Sequence, residues 1–260
     1  MKMRSFLLFL NLLLAWAAVP GLSALAGNGK HCSLMLSELY ASVVSEADLE
    51  LIEALARDPV VSVSRPEVTR SLETPVVLHL RSGKKLIFKN NPETTRTSGM
   101  NKEVAAFLFD RMLKTDLVPL TVIRTEGDVT GSAQLFVEGV IRKDGLFRTS
   151  AMRVFDFLVD TFDRTPENVI YDPRGRAWAI DHGYTFNVAQ TAVCPSTSYQ
   201  NSIIQVALGV PGILQRLQDL PESRIRAVLE PLLGAEPVNQ LLERRKWLLA
   251  QASSCGWIGK

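Results

Sequence analysis

Two polar segments, Asp163-Arg164-Thr165-Pro166-Glu167-Asn168 and Ile180-Asp181-His182-Gly183, bracket a stretch with one natural local fold. Asn168-Val169-Ile170-Tyr171 is a short apolar run with strand character. Asp172-Pro173-Arg174-Gly175 has turn chemistry, with Asp at the first position, Pro at the second and Gly at the fourth. Arg176-Ala177-Trp178-Ala179-Ile180 then returns as the partner strand. Closing this hairpin brings Asn168 beside Asp181, with Asp163 on the loop that feeds in. Three oxygen-bearing side chains converge at one end. That set suits a hard divalent cation and a proton acceptor. An Asx-rich turn on an ordinary hairpin would use the same letters, so the flanking sequence has to decide.

Upstream, residues 60–64, 76–80 and 85–89 are β-branched or alternating runs. Arg81-Ser82-Gly83-Lys84-Lys85 turns between the last two. Its donors and the permissive Gly83 could approach phosphates, with Lys84 beside it. It is equally an ordinary hairpin turn. Alternation puts Phe88 on one face of its strand, and Ile87 and Lys89 on the other. A lysine sharing a face with an apolar residue either snorkels to solvent or takes a partner. Asn101 is placed to cap a helix running to about Leu113, with Val104, Phe107, Leu108, Arg111 and Met112 at helical spacing. Glu103 lies early in that helix, where the dipole favours a carboxylate, and flanks the apolar stripe. It is either the partner of Lys89 or a simple first-turn charge.

Farther along, residues 120–125 form a strand, 127–131 a turn, and 132–140 a second strand. Residues 150–162 form a helix leading into Asp163, on which Asp156 and Asp160 are expected to be solvated. Residues 184–202 are irregular, and 203–218, 222–233 and 237–250 are helical. At the other end, residues 27–58 read as helical, with Ser45 a cap and Leu49, Ile52 and Leu55 on the apolar face. Before them, Lys2 and Arg4 precede an apolar run at 5–19, and Ala24-Leu25-Ala26 is a small-x-small cleavage pattern. Residues 1–26 thus read as a secretory signal peptide, and no transmembrane helix remains after its removal. Its loss takes away two cations, leaving the basic residues equal to the 27 acidic ones. A formally neutral mature chain gives no electrostatic basis for binding nucleic acid. The three cysteines, Cys32, Cys194 and Cys255, allow at most one internal disulfide, and Cys194 with Cys255 is the expected pair. With only His31, His79 and His182 and no C-x-x-C, a zinc site is not expected.

A strand lysine (Lys89), a helix glutamate (Glu103), D-x-x-x-x-N at Asp163 and Asn168, a hairpin, and Asp181-x-Gly183 occur in that order. This resembles the protein-kinase-like fold, an α+β architecture with a β-rich N-lobe and a mainly helical C-lobe. There is no G-x-G-x-x-G and no A-P-E after Asp181. The likeness is to compact atypical branches: phosphatidylinositol 3- and 4-kinases, HipA-like kinases and the four-jointed-type secretory kinases. Asp156-Phe157-Leu158 through Phe162-Asp163-Arg164 and Asn168 resembles the four-jointed pattern. Ala179-Ile180-Asp181-His182-Gly183-Tyr184-Thr185-Phe186 resembles the metal-binding segment of the phosphatidylinositol kinases. The resemblance spans residues 76–190. It implies an N-lobe at 27–138, a C-lobe at 139–260, and an adenine contact on the connection between them. It implies ATP with Mg²⁺ or Mn²⁺ as cofactors. Lys89 would bind the α- and β-phosphates and Glu103 would orient it. Asp163 would accept the proton of the acceptor hydroxyl, and Asn168 and Asp181 would hold the metal. Arg164 would either brace the catalytic loop or contact phosphate, and His182 would support the Asp181 turn. The implied activity is transfer of the γ-phosphate to a hydroxyl of a protein, glycan or lipid headgroup, in an exported or luminal setting. AMP transfer and a non-catalytic pseudokinase remain as alternatives on the same fold.

Overall fold

Antiparallel pairing of short alternating strands builds the first half of the molecule. The structure is a computed structural model that describes residues 37–66, 75–90, 99–142, 148–188 and 197–257. Residues 1–26, expected to be a signal peptide, and Cys32 and Cys194 lie outside the described residues. Cys255 is exposed, and its expected pairing with Cys194 falls outside them as well. Met1–Leu39 is a unit of its own, and Tyr40–Lys260 forms a second, compact one, described below.

Helix α1 (Glu46–Arg57) starts where Ser45 accepts a hydrogen bond from the Asp48 amide, and buries Ile52 and Leu55. Strands β1 (Val60–Ser64), β2 (Val76–Leu80) and β3 (Lys85–Lys89) follow. Helix α2 (Gly99–Leu113) leads to β4 (Thr121–Glu126) and β5 (Val129–Leu135). The five strands form one sheet in the order β1-β2-β3-β5-β4. In β3, Leu86 and Phe88 are buried while Lys85, Ile87 and Lys89 share a half-buried face, as the alternation requires.

Helix α2 begins at Gly99, three residues before the Lys102 that a cap at Asn101 would place first. Asn101 does not cap it; its side-chain amide donates instead to the Leu232 carbonyl at 3.1 Å. The helix is buried nearly all round, because the sheet packs on one side and a C-terminal helix on the other. The β4–β5 turn is also tighter than expected. Gly127, with φ of 60°, closes it in two residues, and Glu126 already pairs with Val129. Gly131 therefore lies inside β5. An added Cβ there would meet the Lys89 carbonyl oxygen at 2.2 Å. Glycine at this position lets β5 approach the strand end that carries Lys89. Beyond Leu135 the chain leaves the sheet, and Val140 forms a single antiparallel bridge to Tyr171.

Helix α3 (Ser150–Val159) is capped by Thr149 and stops at Asp160, in the left-handed region at φ of 57°. The expected continuation to residue 162 is thereby broken, and the chain turns out towards Asp163. A 3-10 turn (Pro166–Asn168) precedes the hairpin strands β6 (Val169–Tyr171) and β7 (Ala177–Ala179). The remainder is helical: α4 (Thr197–Leu208), α5 (Pro211–Asp219), α6 (Glu222–Leu233) and α7 (Ala235–Ser254). The single helix expected at 203–218 is two, since Pro211 has no amide to continue α4 and opens α5 instead. Among the described residues no helix is long and apolar enough to cross a membrane.

Gly131→Ala is expected to destabilise the chain by about 1–3 kcal/mol, the usual range for overpacking. The nearest clash is with the Lys89 backbone, which a moving side chain cannot relieve, and Phe88 Cζ follows at 2.9 Å. Urea unfolding of the variant against wild type measures it.

Candidate active site

The site begins with Lys89, the last residue of β3, opposite Ser132 in the β3–β5 register. Its ammonium lies 2.6 Å from Glu103 Oε1 on α2 and 2.6 Å from Asp181 Oδ1 after β7. The Lys89 side chain is 14% exposed and that of Glu103 3%. Burial works against the lysine's charge, yet the two carboxylates outweigh it and hold its pKa above the ordinary lysine value. Of the two readings open for Glu103, the ion pair is the one observed.

The hairpin forms as its turn chemistry dictates. The Gly175 amide donates to the Asp172 carbonyl at 2.8 Å, and the Arg174 and Arg176 amides donate to Asp172 Oδ1. Val169 pairs with Ala179, and the Ile180 amide donates to the Asn168 carbonyl at 3.1 Å. Asn168 and Asp181 are thus brought to one end of the ladder. Asp181 holds a left-handed backbone at φ of 62°, a conformation costing a non-glycine residue of order 1 kcal/mol or more and common at functional sites. Asn168 Nδ2 donates to the Asp163 carbonyl at 3.2 Å, which leaves its Oδ1 as the atom suited to a cation.

Asp163 is half-buried, and its Oδ1 is buried without a hydrogen-bond partner. Burial first, and then the negative charge of Asp181, raise its pKa above the ordinary carboxylate range. An unpaired carboxylate oxygen with raised basicity has the properties of a proton acceptor.

Arg164 resolves differently from its neighbour. It is 6% exposed, and every one of its donors is engaged. Nε and Nη2 reach the Asp156 carboxylate at 3.1–3.3 Å. Nη1 donates to the Asn168 carbonyl at 3.0 Å and to the Ile180 carbonyl. Nη2 also meets His182 Nε2 at 2.9 Å. A guanidinium has five N–H groups, and none is left for a phosphate. In this structure Arg164 braces both strands of the hairpin at the end that carries Asn168 and Asp181.

Asp156 corrects its expectation as well. It is 3% exposed rather than solvated, because Arg164 arrives from the following loop to pair with it. Burial raises the Asp156 carboxyl, and Arg164 opposes the rise. His182 is fully buried. Burial, with the positive charges of Arg164 and Lys89, lowers its pKa well below the ordinary histidine value. A further link that the sequence gave no sign of joins Lys102 of α2 to Asn187 Oδ1 at 3.1 Å.

Gly83 and Lys84 are not brought to this site. They sit at the start of β3 and Lys89 at its end, about 17 Å along the strand at ~3.4 Å per residue. There, Gly83 takes a φ of 84° and its amide closes a turn on the Leu80 carbonyl. The sheet end nearest Lys89 is instead the one where β1 stops at Ser64, opposite Val77, and β2 starts at Val76, opposite Phe88. The Gly83 turn is thus a hairpin turn at the opposite end of β3 from Lys89.

Among the described residues no three Asp, Glu, His or Cys side chains cluster as a self-sufficient metal site. Two oxygen donors, from Asn168 and Asp181, fit a Mg²⁺-like cation that takes its other ligands from water and phosphate.

Removing Arg164 leaves Asp156 buried without a counter-charge. Arg164→Met is expected to cost about 3–5 kcal/mol of stability. Arg164→Lys should recover little of it, since an ammonium cannot reproduce the five-donor fork. Equilibrium unfolding of the two variants checks both statements.

No protein-family model and no curated protein sequence matches the chain. Solved structures do match its fold. The crystal structure of the Golgi casein kinase aligns over 81% of this chain and 77% of its own, at 14% identity and a TM-score of 0.55. The structure of hydra Fam20 with sugar aligns over 84% of this chain and 94% of its own, at 14% identity and a TM-score of 0.57. With its five-stranded antiparallel sheet and mainly helical C-terminal half, the chain has the fold of the atypical kinases.

Proposed function

We propose that the chain is an ATP-dependent phosphotransferase that carries the γ-phosphoryl group to a hydroxyl acceptor. One observation carries the reading: Lys89 bridges Glu103 and Asp181 at 2.6 Å each, while Asp163 keeps a buried carboxylate oxygen unpaired. When bound, metal-ATP supplies the phosphoryl group and the cation that offsets its charge. Asn168 Oδ1 and the Asp181 carboxylate are the residues to hold that cation, and Lys89 neutralises phosphate oxygens. Glu103 would keep the ammonium aimed where Asp181 serves as a ligand of that cation. Asp163 takes the hydroxyl proton. Such a site works by positioning and charge neutralisation, with little covalent chemistry for the protein to do.

The acceptor class belongs to the proposal too. One structural neighbour is a casein kinase and another is described with a sugar, so protein and glycan hydroxyls are the first acceptors to test, with lipid headgroups third. An exported or luminal place of action is part of the reading, supported by the charged start, apolar run and Ala24-Leu25-Ala26 of the N-terminus.

Incubation with ATP labelled at the γ- or the α-phosphate, with Mg²⁺ or Mn²⁺, tests the reaction. Appearance of γ-label on the acceptor is expected. Transfer of α-label would mean AMP transfer, and no transfer with retained nucleotide binding would mean a pseudokinase. Asp163→Asn should lower turnover by at least about a hundredfold, the usual worth of a general base, with little change in nucleotide affinity. Asp181→Ala should lose metal-dependent nucleotide binding.

The pH dependence has a definite sign. Turnover needs Asp163 ionised, so the rate falls as acid protonates it. That fall is expected at a pH above the ordinary aspartate value of about 3.9. Carbon NMR titration of Asp163 should show the midpoint moving down in an Asp181→Asn variant, because the charge of Asp181 is one cause of the rise.

A further inference from the structure

His182 stands between two charged groups that come from different parts of the chain. Its Nε2 lies 2.9 Å from Arg164 Nη2. A guanidinium only donates, so Nε2 is the accepting nitrogen and the ring hydrogen sits on Nδ1. That nitrogen is buried with no hydrogen-bond partner and lies 3.9 Å from Glu103 Oε2. The other oxygen of the same carboxylate, Oε1, holds Lys89. The ring is held edge-on to Phe155 at 5.9 Å between centroids, and the His182 carbonyl accepts from Thr185 Oγ1 at 2.7 Å.

A side chain that only filled this space would leave no orphaned N–H; phenylalanine has the shape and no such group. The position instead carries a donor aimed at the carboxylate that sets the lysine, and an acceptor on the guanidinium that sets the hairpin. About 1 Å of approach would turn the open Nδ1–Glu103 contact into a hydrogen bond. Helix α2 also meets the segment after Asp181 through Lys102 Nζ, which donates to Asn187 Oδ1 at 3.1 Å.

We propose that His182 is a positioning residue that links Glu103 to Arg164 and thereby sets the Lys89 anchor and the catalytic loop together. Its Nδ1–H bonds Glu103 Oε2 when α2 closes, and its Nε2 holds Arg164 in register with the Asn168 and Ile180 carbonyls. The kinetic part of this assignment rests on the phosphotransferase reading of the site; the tautomer does not.

Two measurements test it. Nitrogen NMR of the full chain should find His182 neutral, with the hydrogen on Nδ1 and Nε2 bare. A hydrogen on Nε2 overturns the proposal, whatever the activity. For kinetics, His182→Gln can place its amide oxygen near the Nε2 position as an acceptor for Arg164 but has no donor at the Nδ1 position, and His182→Phe loses both nitrogens while keeping a ring against Phe155. The Gln variant should keep the wild-type melting temperature and lose about tenfold in kcat with a smaller change in KM for ATP, the scale of outer-sphere partners in such sites. The Phe variant should lose at least as much, and if it misfolds the Gln variant decides alone. Wild-type kcat in the Gln variant, or a loss fully accounted for by a lower melting temperature, overturns the proposal. A wild-type chain without turnover would count against the phosphotransferase reading itself, and the nitrogen spectrum would then decide the His182 arrangement.

Discussion

The guanidinium of Arg164 is the point on which the hairpin end of the molecule depends. Its five donors are spent on one helix carboxylate, two backbone carbonyls and one imidazole nitrogen. The two carbonyls belong to Asn168 and Ile180, the residues that flank the paired strands at their shared end. A single planar group therefore fixes α3, the feeding loop and both strands of the hairpin in one geometry. Only arginine offers so many directed donors in one rigid plane. The cost of burying this charge is offset by Asp156, and the arrangement is stable only while both partners are present.

Around that brace, charge is distributed so that each group has a defined task. Lys89 is held charged by two carboxylates, while Asp163, on the chain beside Arg164, keeps an oxygen with no donor facing it. The brace uses up the nearest positive charge, so Asp163 is not neutralised by its own neighbour in sequence. A carboxylate next to an arginine would ordinarily be pulled towards a lower pKa. Here burial and Asp181 prevail.

Much of this was legible from sequence because it is local. Turn chemistry at Asp172-Pro173-Arg174-Gly175 and alternation in β3 both act within a few residues, and both held. The Lys89–Glu103 pair was legible as an order of residue types on a strand and the next helix. What failed depended on distant chain. Asp156 looked solvated because a charged letter on a helix usually is. Its position in the apolar run Val154-Phe155-Asp156-Phe157-Leu158-Val159 was the signal that could have shown otherwise. Gly83 and Lys84 have suitable chemistry, but only the sheet register reveals that they sit at the far end of β3. Helix α2 starts at Gly99 with Asn101 already inside it, its side-chain amide spent on Leu232 of α6, a partner far off in sequence. Gly209-Val210-Pro211 was a visible breaker within an otherwise continuous helical pattern.

The bridge between Val140 and Tyr171 adds a third, one-residue rung to the β6–β7 hairpin. An added Cβ at Gly139 would lie 2.3 Å from the Tyr171 carbonyl oxygen, so the two backbones run in direct contact. The chain leaving the sheet is thus fastened to the same short ladder whose opposite end carries Asn168, about 10 Å away at ~3.4 Å per residue. Only residues 137–139 separate the last backbone contact with the sheet, the Phe136 amide on the Lys85 carbonyl at 2.9 Å, from this ladder, so sheet and hairpin are tied by one short backbone span.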